Sequence, residues 1–313
     1  MGWAGLKRYT QYRMIGFIAS LSLAYLGVCL FFFVRQEALL YNPKRTLVTV
    51  PSNRPFHLPF QDVTLPVGTG SDYLRGWWIP APQPDEMVVI LPHEPKKIVN
   101  EPKVILYFIG RGGNKGSYLP RVEGFHQLGF SVLLVDYRGF GNSHPRHPNE
   151  SRLYEDSQAA WHYLTQIRNI PAQDIVIYGE SLGGAVAVDL AVKQPDASGL
   201  IVQSSFTSMP AIVKETGYFR LLPVDWILTQ RFNSLAKVRS LKIPVLFLHG
   251  TADTVVPSWM SRSLYQATPP DIPKELLFVP ESGHFSIYRP GAYSYLRAIQ
   301  RLIHEPRSQV ISR

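Results

Sequence analysis

The sequence predicts an α/β fold, a mainly parallel sheet covered by helices on both faces. Three observations carry that expectation. From residue 104 onward, short apolar runs alternate regularly with longer stretches of helical spacing. The short runs, such as Val104-Ile105-Leu106-Tyr107-Phe108, are apolar throughout rather than at every second position. Strands buried between two helical layers read that way. The residues with the most chemistry fall just past the ends of such runs, where a parallel sheet gathers its reactive groups.

Composition sets the frame. A chain of 313 residues suffices for one large domain or two small ones. Apolar residues at 45% against 18% charged residues describe a globular protein with a substantial core and exclude a disordered one. The formal charge of +9 is diffuse. Without an RNA-binding aromatic signature or zinc spacing, no nucleic-acid partner is expected, and a membrane surface explains the excess better. The one cysteine, Cys29, excludes an internal disulfide and a cysteine-based metal cluster.

The elements follow in order. Residues 1–14 are short and basic, with Lys7, Arg8 and Arg13. Residues 15–34 carry no charge and as a helix would span about 30 Å, the thickness of a bilayer core. A cleaved signal peptide is the rival reading. The run is long for a signal core, however, and no small-x-small cleavage site stands near its end. A lipoprotein reading of Cys29 fails on Val28, where a small residue is wanted. An uncleaved single-pass N-terminal anchor is therefore expected. Its orientation is not readable, because Arg35, Lys44 and Arg45 balance the basic residues before it. Residues 35–60, rich in Pro, Asn and Arg, read as a linker, and a globular domain over 61–313 follows.

Strands are expected at 61–66 and 73–79. The Pro-rich stretch 80–102 reads as an irregular or hairpin-shaped excursion. Then come strands at 104–110, 131–137, 174–178, 200–203, 245–249 and 275–279. Helices are expected at 117–128, 152–166, 181–194, 259–267 and 292–304. The interval 205–243 breaks the alternation with weak helical patterns at 209–213 and 224–232, as a small cap over the site would.

The centre of the chain is Gly179-Glu180-Ser181-Leu182-Gly183, between an apolar run and an Ala-rich helical run. Glycines two residues either side of a serine suit a crowded strand-to-helix turn that lifts the hydroxyl out of the sheet. By itself the motif also arises by chance. Its partners decide. A serine needs a base, and the base an orienting acid, in the chain order Ser, Asp or Glu, His. Asp253 lies in the loop after the strand 245–249, and His284 in the loop after 275–279, beside Gly283. The bland readings are a turn or helix-capping Asp253 and a surface His284. His249, on the strand itself, is expected to pack structurally, and Asp136 to tie loops together through Arg138. An oxyanion hole needs two N–H donors. Leu182, after the serine, is one. The loop Ile109-Gly110-Arg111-Gly112-Gly113-Asn114 provides the other, assigned to Arg111. That loop lacks the Lys-Ser/Thr ending and the spacing of a phosphate-binding loop.

Gly-Glu-Ser-Leu-Gly-Gly, Asp-Tyr-Arg-Gly-Phe-Gly-Asn-Ser, Leu-His-Gly-Thr-Ala-Asp-Thr-Val-Val-Pro and Ser-Gly-His together resemble the α/β-hydrolase superfamily. More narrowly, the chain resembles membrane-anchored serine hydrolases with a compact cap, among them acyl-protein thioesterases and monoacylglycerol lipases. The resemblance runs from about residue 39 to 304. It implies an α/β-hydrolase fold, with Ser181 as nucleophile, Asp253 as orienting acid and His284 as base. One departure stands out: the family loop usually begins His-Gly, and Ile109 replaces that histidine.

The expected function is a membrane-anchored serine hydrolase of carboxylic esters or thioesters, lipid-like or acylated, with neither metal nor organic cofactor. The same triad cleaves amides, so a serine peptidase is the second reading. A catalytically silent, membrane-tethered binding protein is the third. The sequon Asn149-Glu150-Ser151 is read as a chance occurrence.

Overall fold

The computed structural model describes residues 3–83, 103–287 and 293–304. The excursion expected over 80–102 therefore lies, beyond residue 83, outside the described residues. The chain opens with α1 (Trp3–Tyr41), long and apolar enough to cross a membrane. The helix continues past both ends of the uncharged run. Nothing between Trp3 and Tyr41 breaks it: the interior is made largely of helix-forming side chains, and the first proline beyond the run is Pro43.

Eight strands form one sheet in the order β1-β2-β4-β3-β5-β6-β7-β8. They are β1 (Gln61–Pro66), β2 (Tyr73–Ile79), β3 (Val104–Phe108), β4 (Ser131–Asp136), β5 (Ile175–Glu180), β6 (Gly199–Gln203), β7 (Val245–Gly250) and β8 (Lys274–Val279). Only β2 runs against the others, pairing antiparallel with β1 and β4. From β4 to β8 every pairing is parallel. The register sets Phe108 beside Gly179, and Glu180 beside Gln203. The carboxyl ends of β3, β5 and β6 thus share one edge.

Helices α2 (Leu119–Gln127), α3 (Glu150–His162) and α4 (Leu182–Lys193) cover the sheet between strands. Asn149 caps α3, its Oδ1 accepting from Arg152 N at 2.9 Å, so the sequon asparagine has a structural task. The α-helix closes earlier than expected, its last turn widening into a π-turn over Tyr163–Ile167. Between β6 and β7 lies the cap, with α5 (Met209–Glu215), α6 (Val224–Ile227) and α7 (Ser234–Lys237). The helix expected over 224–232 stops at Ile227, because the next backbone turns aside to α1: Thr229 N donates to Gln36 Oε1 at 2.8 Å. Finally α8 (Trp259–Ala267) and α9 (Tyr293–His304) close the fold beside β7 and β8.

Residues 42–60, read as a linker, are folded onto the domain. Gly141 N donates to Lys44 O at 2.9 Å, Arg45 Nη1 to Ser143 O at 3.0 Å and Asn114 Nδ2 to Thr46 O at 2.6 Å. They are held between the loop after β3 and the loop after β4.

Candidate active site

Ser181 occupies the turn from β5 to α4 with φ 55° and ψ −118°, a conformation L-residues rarely adopt. The neighbouring glycines make that turn possible. A Cβ on Gly183 would stand 2.1 Å from Phe108 O, and one on Gly179 2.1 Å from Gly183 O. No side chain fits either place. The turn brings the start of α4 directly against the end of β3.

Beneath it, Glu180 is fully enclosed. Its Oε2 meets Arg121 Nε at 2.8 Å and accepts from Tyr107 Oη at 3.0 Å. Burial pushes the Glu180 carboxyl up, against the pull of Arg121. This pair was not legible, because Arg121 sits on a different element and nothing in its spacing points to Glu180.

Asp253 and His284 are brought together. His284 Nδ1 lies 2.7 Å from Asp253 Oδ2. Asp253 Oδ1 accepts from the N–H groups of Val255 and Val256, both at 2.8 Å. A third contact was missed from the sequence. His249, wholly buried, places Nε2 2.8 Å from Val256 O and 3.2 Å from Asp253 Oδ2, with Nδ1 2.7 Å from Ser261 Oγ. A carbonyl only accepts, so Nε2 carries the hydrogen and Nδ1 accepts from the hydroxyl. His249 is thus more than packing: it braces the carboxylate. Its spacing of four residues from Asp253 was the available signal. Burial works to raise the Asp253 pKa, yet the hydrogen bonds from His249 and His284 outweigh it and hold the carboxyl well below the usual range.

The loop after β3 sits against the serine, where a Cβ on Gly110 would come within 3.3 Å of Ser181 Cβ. Its neighbouring donors are committed: Gly110 N donates to Tyr118 Oη at 2.9 Å and Gly112 N to Tyr41 O at 3.1 Å. Tyr137 Oη donates to Ile109 O at 3.2 Å. Two tyrosines therefore brace the loop that lacks the usual histidine. Leu182 is the first residue of α4, so its N–H has no acceptor within the helix. Leu182 and Arg111 both line the space in front of Ser181.

The expected Asp136–Arg138 tie is corrected. Asp136 is bound by Lys115, with Nζ at 2.8 Å and the backbone N at 2.7 Å. Arg138 instead holds Asp156 (2.6 Å) and Asp72 (2.8 Å). A buried lysine four residues after Arg111 has no periodic signature, so the pairing was hidden.

Ser181 faces a cavity of about 320 Å³, roofed by the cap. Its walls are Phe206, Met209, Ile212, Phe219, Leu222 and further apolar side chains of the cap and the loop after β7. Among the described residues that line it, Arg111 is the one charged side chain. Phe32, Gln36, Leu39 and Leu40 of α1 complete the wall. The volume lies at the small end of the range for small-molecule sites, about 300–1,000 Å³.

Known proteins place these features in context. The family described as serine aminopeptidase, S33, matches residues 100–236, a span that includes Ser181 and ends before Asp253. The chain is 31% identical over 293 residues to the uncharacterized protein Rv2307c of Mycobacterium tuberculosis, covering 94% of this chain and 96% of that protein. It is 36% identical over 156 residues to protein bem46 of Schizosaccharomyces pombe, covering 49% of this chain and 52% of that one. Among solved structures, a Pyrococcus furiosus esterase superposes with a TM-score of 0.64 at 19% identity, covering 84% of this chain and 97% of the esterase. A puromycin-hydrolyzing peptidase of Mycobacterium tuberculosis gives 0.62 at 18% identity, over 83% of this chain and 40% of the peptidase. Likeness at that identity is likeness of fold.

Proposed function

The chain belongs to the α/β-hydrolase superfamily, and from that premise we propose that it is a membrane-anchored serine hydrolase of carboxylic esters or thioesters with an apolar acyl group. The observation that carries the reading is Ser181, held at positive φ on the strand-to-helix turn and facing an apolar cavity. In this mechanism Ser181 Oγ attacks the acyl carbon. His284, with Nδ1–H donating to Asp253, accepts the serine proton on Nε2 and returns it to the leaving group. Asp253 fixes the ring and stabilises the imidazolium. The N–H groups of Leu182 and Arg111 receive the oxyanion. Water then attacks the acyl-enzyme through the same base. The helix α1 is the anchor.

A serine peptidase is the second reading, supported by the family description and the puromycin-hydrolyzing neighbour. The cavity argues against it. An aminopeptidase has a free ammonium to bind, and no carboxylate stands among the described lining residues. An acyl chain suits those walls, at about 0.8 kcal/mol per buried methylene.

The test is covalent labelling of the purified protein with a fluorophosphonate, beside Ser181→Ala. Labelling of the wild type and none in the variant is expected, with hydrolysis of esters or thioesters faster than of matched amides. A folded wild type that takes no label would leave the silent binding protein as the reading.

A further inference from the structure

The end of α1 is built into the reactive half of the molecule. Three rungs join it to the cap. Gln36, almost wholly buried, donates to Phe33 O and Ile227 O and accepts from the N–H and hydroxyl of Thr229. One turn earlier, Phe32 meets Phe219 edge-on at 5.1 Å between ring centroids. Two turns earlier again, Tyr25 Oη donates to Leu221 O at 3.0 Å. The cap thus climbs alongside α1 from Gln36 to Tyr25. Tyr41 O and Leu39 O also receive hydrogen bonds from Gly112 N and Arg111 Nη2, tying the same helix end to the loop beside Ser181.

The level of the cap tip follows from helix geometry. Arg8, Tyr9, Tyr12 and Arg13 suit one membrane interface. A hydrocarbon core of about 30 Å beginning at Arg13 ends near Phe33, at about 1.5 Å per residue. Tyr25 then stands about 12 Å inside that end, and Leu221 with it. The tip carries side chains fit for that place: Leu221 is 79% and Trp226 88% exposed. Its charges cancel in pairs, Lys214 with Asp225 at 2.6 Å and Arg220 with Glu215 at 3.5 Å. Water is a poor setting for the two apolar side chains, and a leaflet a good one.

We propose that the cap tip, Gly217 to Ile227, is immersed in the same leaflet as the second half of α1, and that the cavity between them receives the acyl chain of a bilayer lipid ester by lateral entry. This rests on the hydrolase and anchor reading above and deepens it. The anchor is then one wall of the substrate site, and the scissile ester reaches Ser181 without its chain crossing water. The gain is specificity: a chain that stays in the leaflet avoids the cost of hydrating its methylenes on the way in.

The test uses the full chain in phosphatidylcholine vesicles. In a Cys29→Ala background, Leu221→Cys is labelled with a nitrobenzoxadiazole fluorophore. Quenching by nitroxides on the lipid acyl chains, with protection from aqueous iodide, is expected; a label quenched by iodide and untouched by the lipid nitroxides overturns the immersion. Separately, Leu39→Trp narrows the wall that α1 contributes. The ratio of kcat/KM for long-chain to short-chain acyl esters should fall about tenfold, and a ratio equal to wild type overturns the wall assignment. Because the ratio is taken within one preparation, partial misfolding cancels. A wild type that hydrolyses no ester defeats the hydrolase reading instead, and the depth measurement still decides the immersion.

Discussion

His249 gains the most from the structure at the scale of single residues. Its Nε2–H is shared between Val256 O and Asp253 Oδ2, so it holds the carboxylate that in turn holds His284. In His249→Phe the Ser261 hydroxyl loses its acceptor, and Asp253 keeps only one imidazole. Activity toward a soluble ester should fall about tenfold through misorientation of His284. Steady-state kinetics beside wild type measure the loss, and an unchanged kcat/KM would reduce His249 to packing. Ser181, Asp253 and His284 could be named from the sequence because each lies just past an expected strand, and the structure sets His284 Nδ1 against Asp253 Oδ2. The task of His249 was not legible, because it crosses a turn and depends on where the Asp253 loop folds back.

Among the elements, the loop after β3 shows how a missing side chain is made good. Ile109 stands where a bracing histidine is usual, and Tyr118 and Tyr137 hold the loop instead. Tyr118→Phe leaves the buried Gly110 N–H without an acceptor, at a cost of about 1–3 kcal/mol. The loop then loses its fixed position beside Ser181, and kcat should fall more than KM rises, as for a group that acts on the oxyanion. Thermal unfolding and steady-state kinetics on the same protein check the pair of effects. Strands β1 and β2 were readable to the residue, and so was α8, because apolar patterning decided them. The cap was readable as an interruption with helices starting near Met209 and Val224, but not in where the second of them ends. The helix α6 and the turn before it are fixed by α1, through Gln36 and Phe32, a partner far away in sequence. Residues 42–60 looked like a linker because they bind through backbone carbonyls, which leave no pattern in side-chain polarity.

Across the whole molecule, Arg138 draws together the turn before β2, the loop after β4 and α3, through Asp72 and Asp156. Arg138 and Arg146 hold the Asp72 carboxyl down at about 2, below its ordinary 3.8. A depressed carboxyl contributes stability above its unfolded pKa and loses it as pH falls through the folded value. The fold should therefore lose this contribution between about pH 4 and pH 2. Asp72→Asn should be less stable than wild type at neutral pH, yet show a smaller drop across that window. Unfolding temperatures at neutral and acid pH decide it, and parallel curves for the two proteins would contradict it. The segment 42–60 has a consequence of another kind. Its carbonyls at Lys44 and Thr46 receive Gly141 N of the loop after β4 and Asn114 Nδ2 of the loop after β3, a loop that lies against Ser181. A protease that cut there would break the covalent tie to α1, leaving only its contacts with the cap, and by the same stroke unpin those loops. On the anchored-hydrolase proposal, release from the membrane and loss of activity would then be a single event.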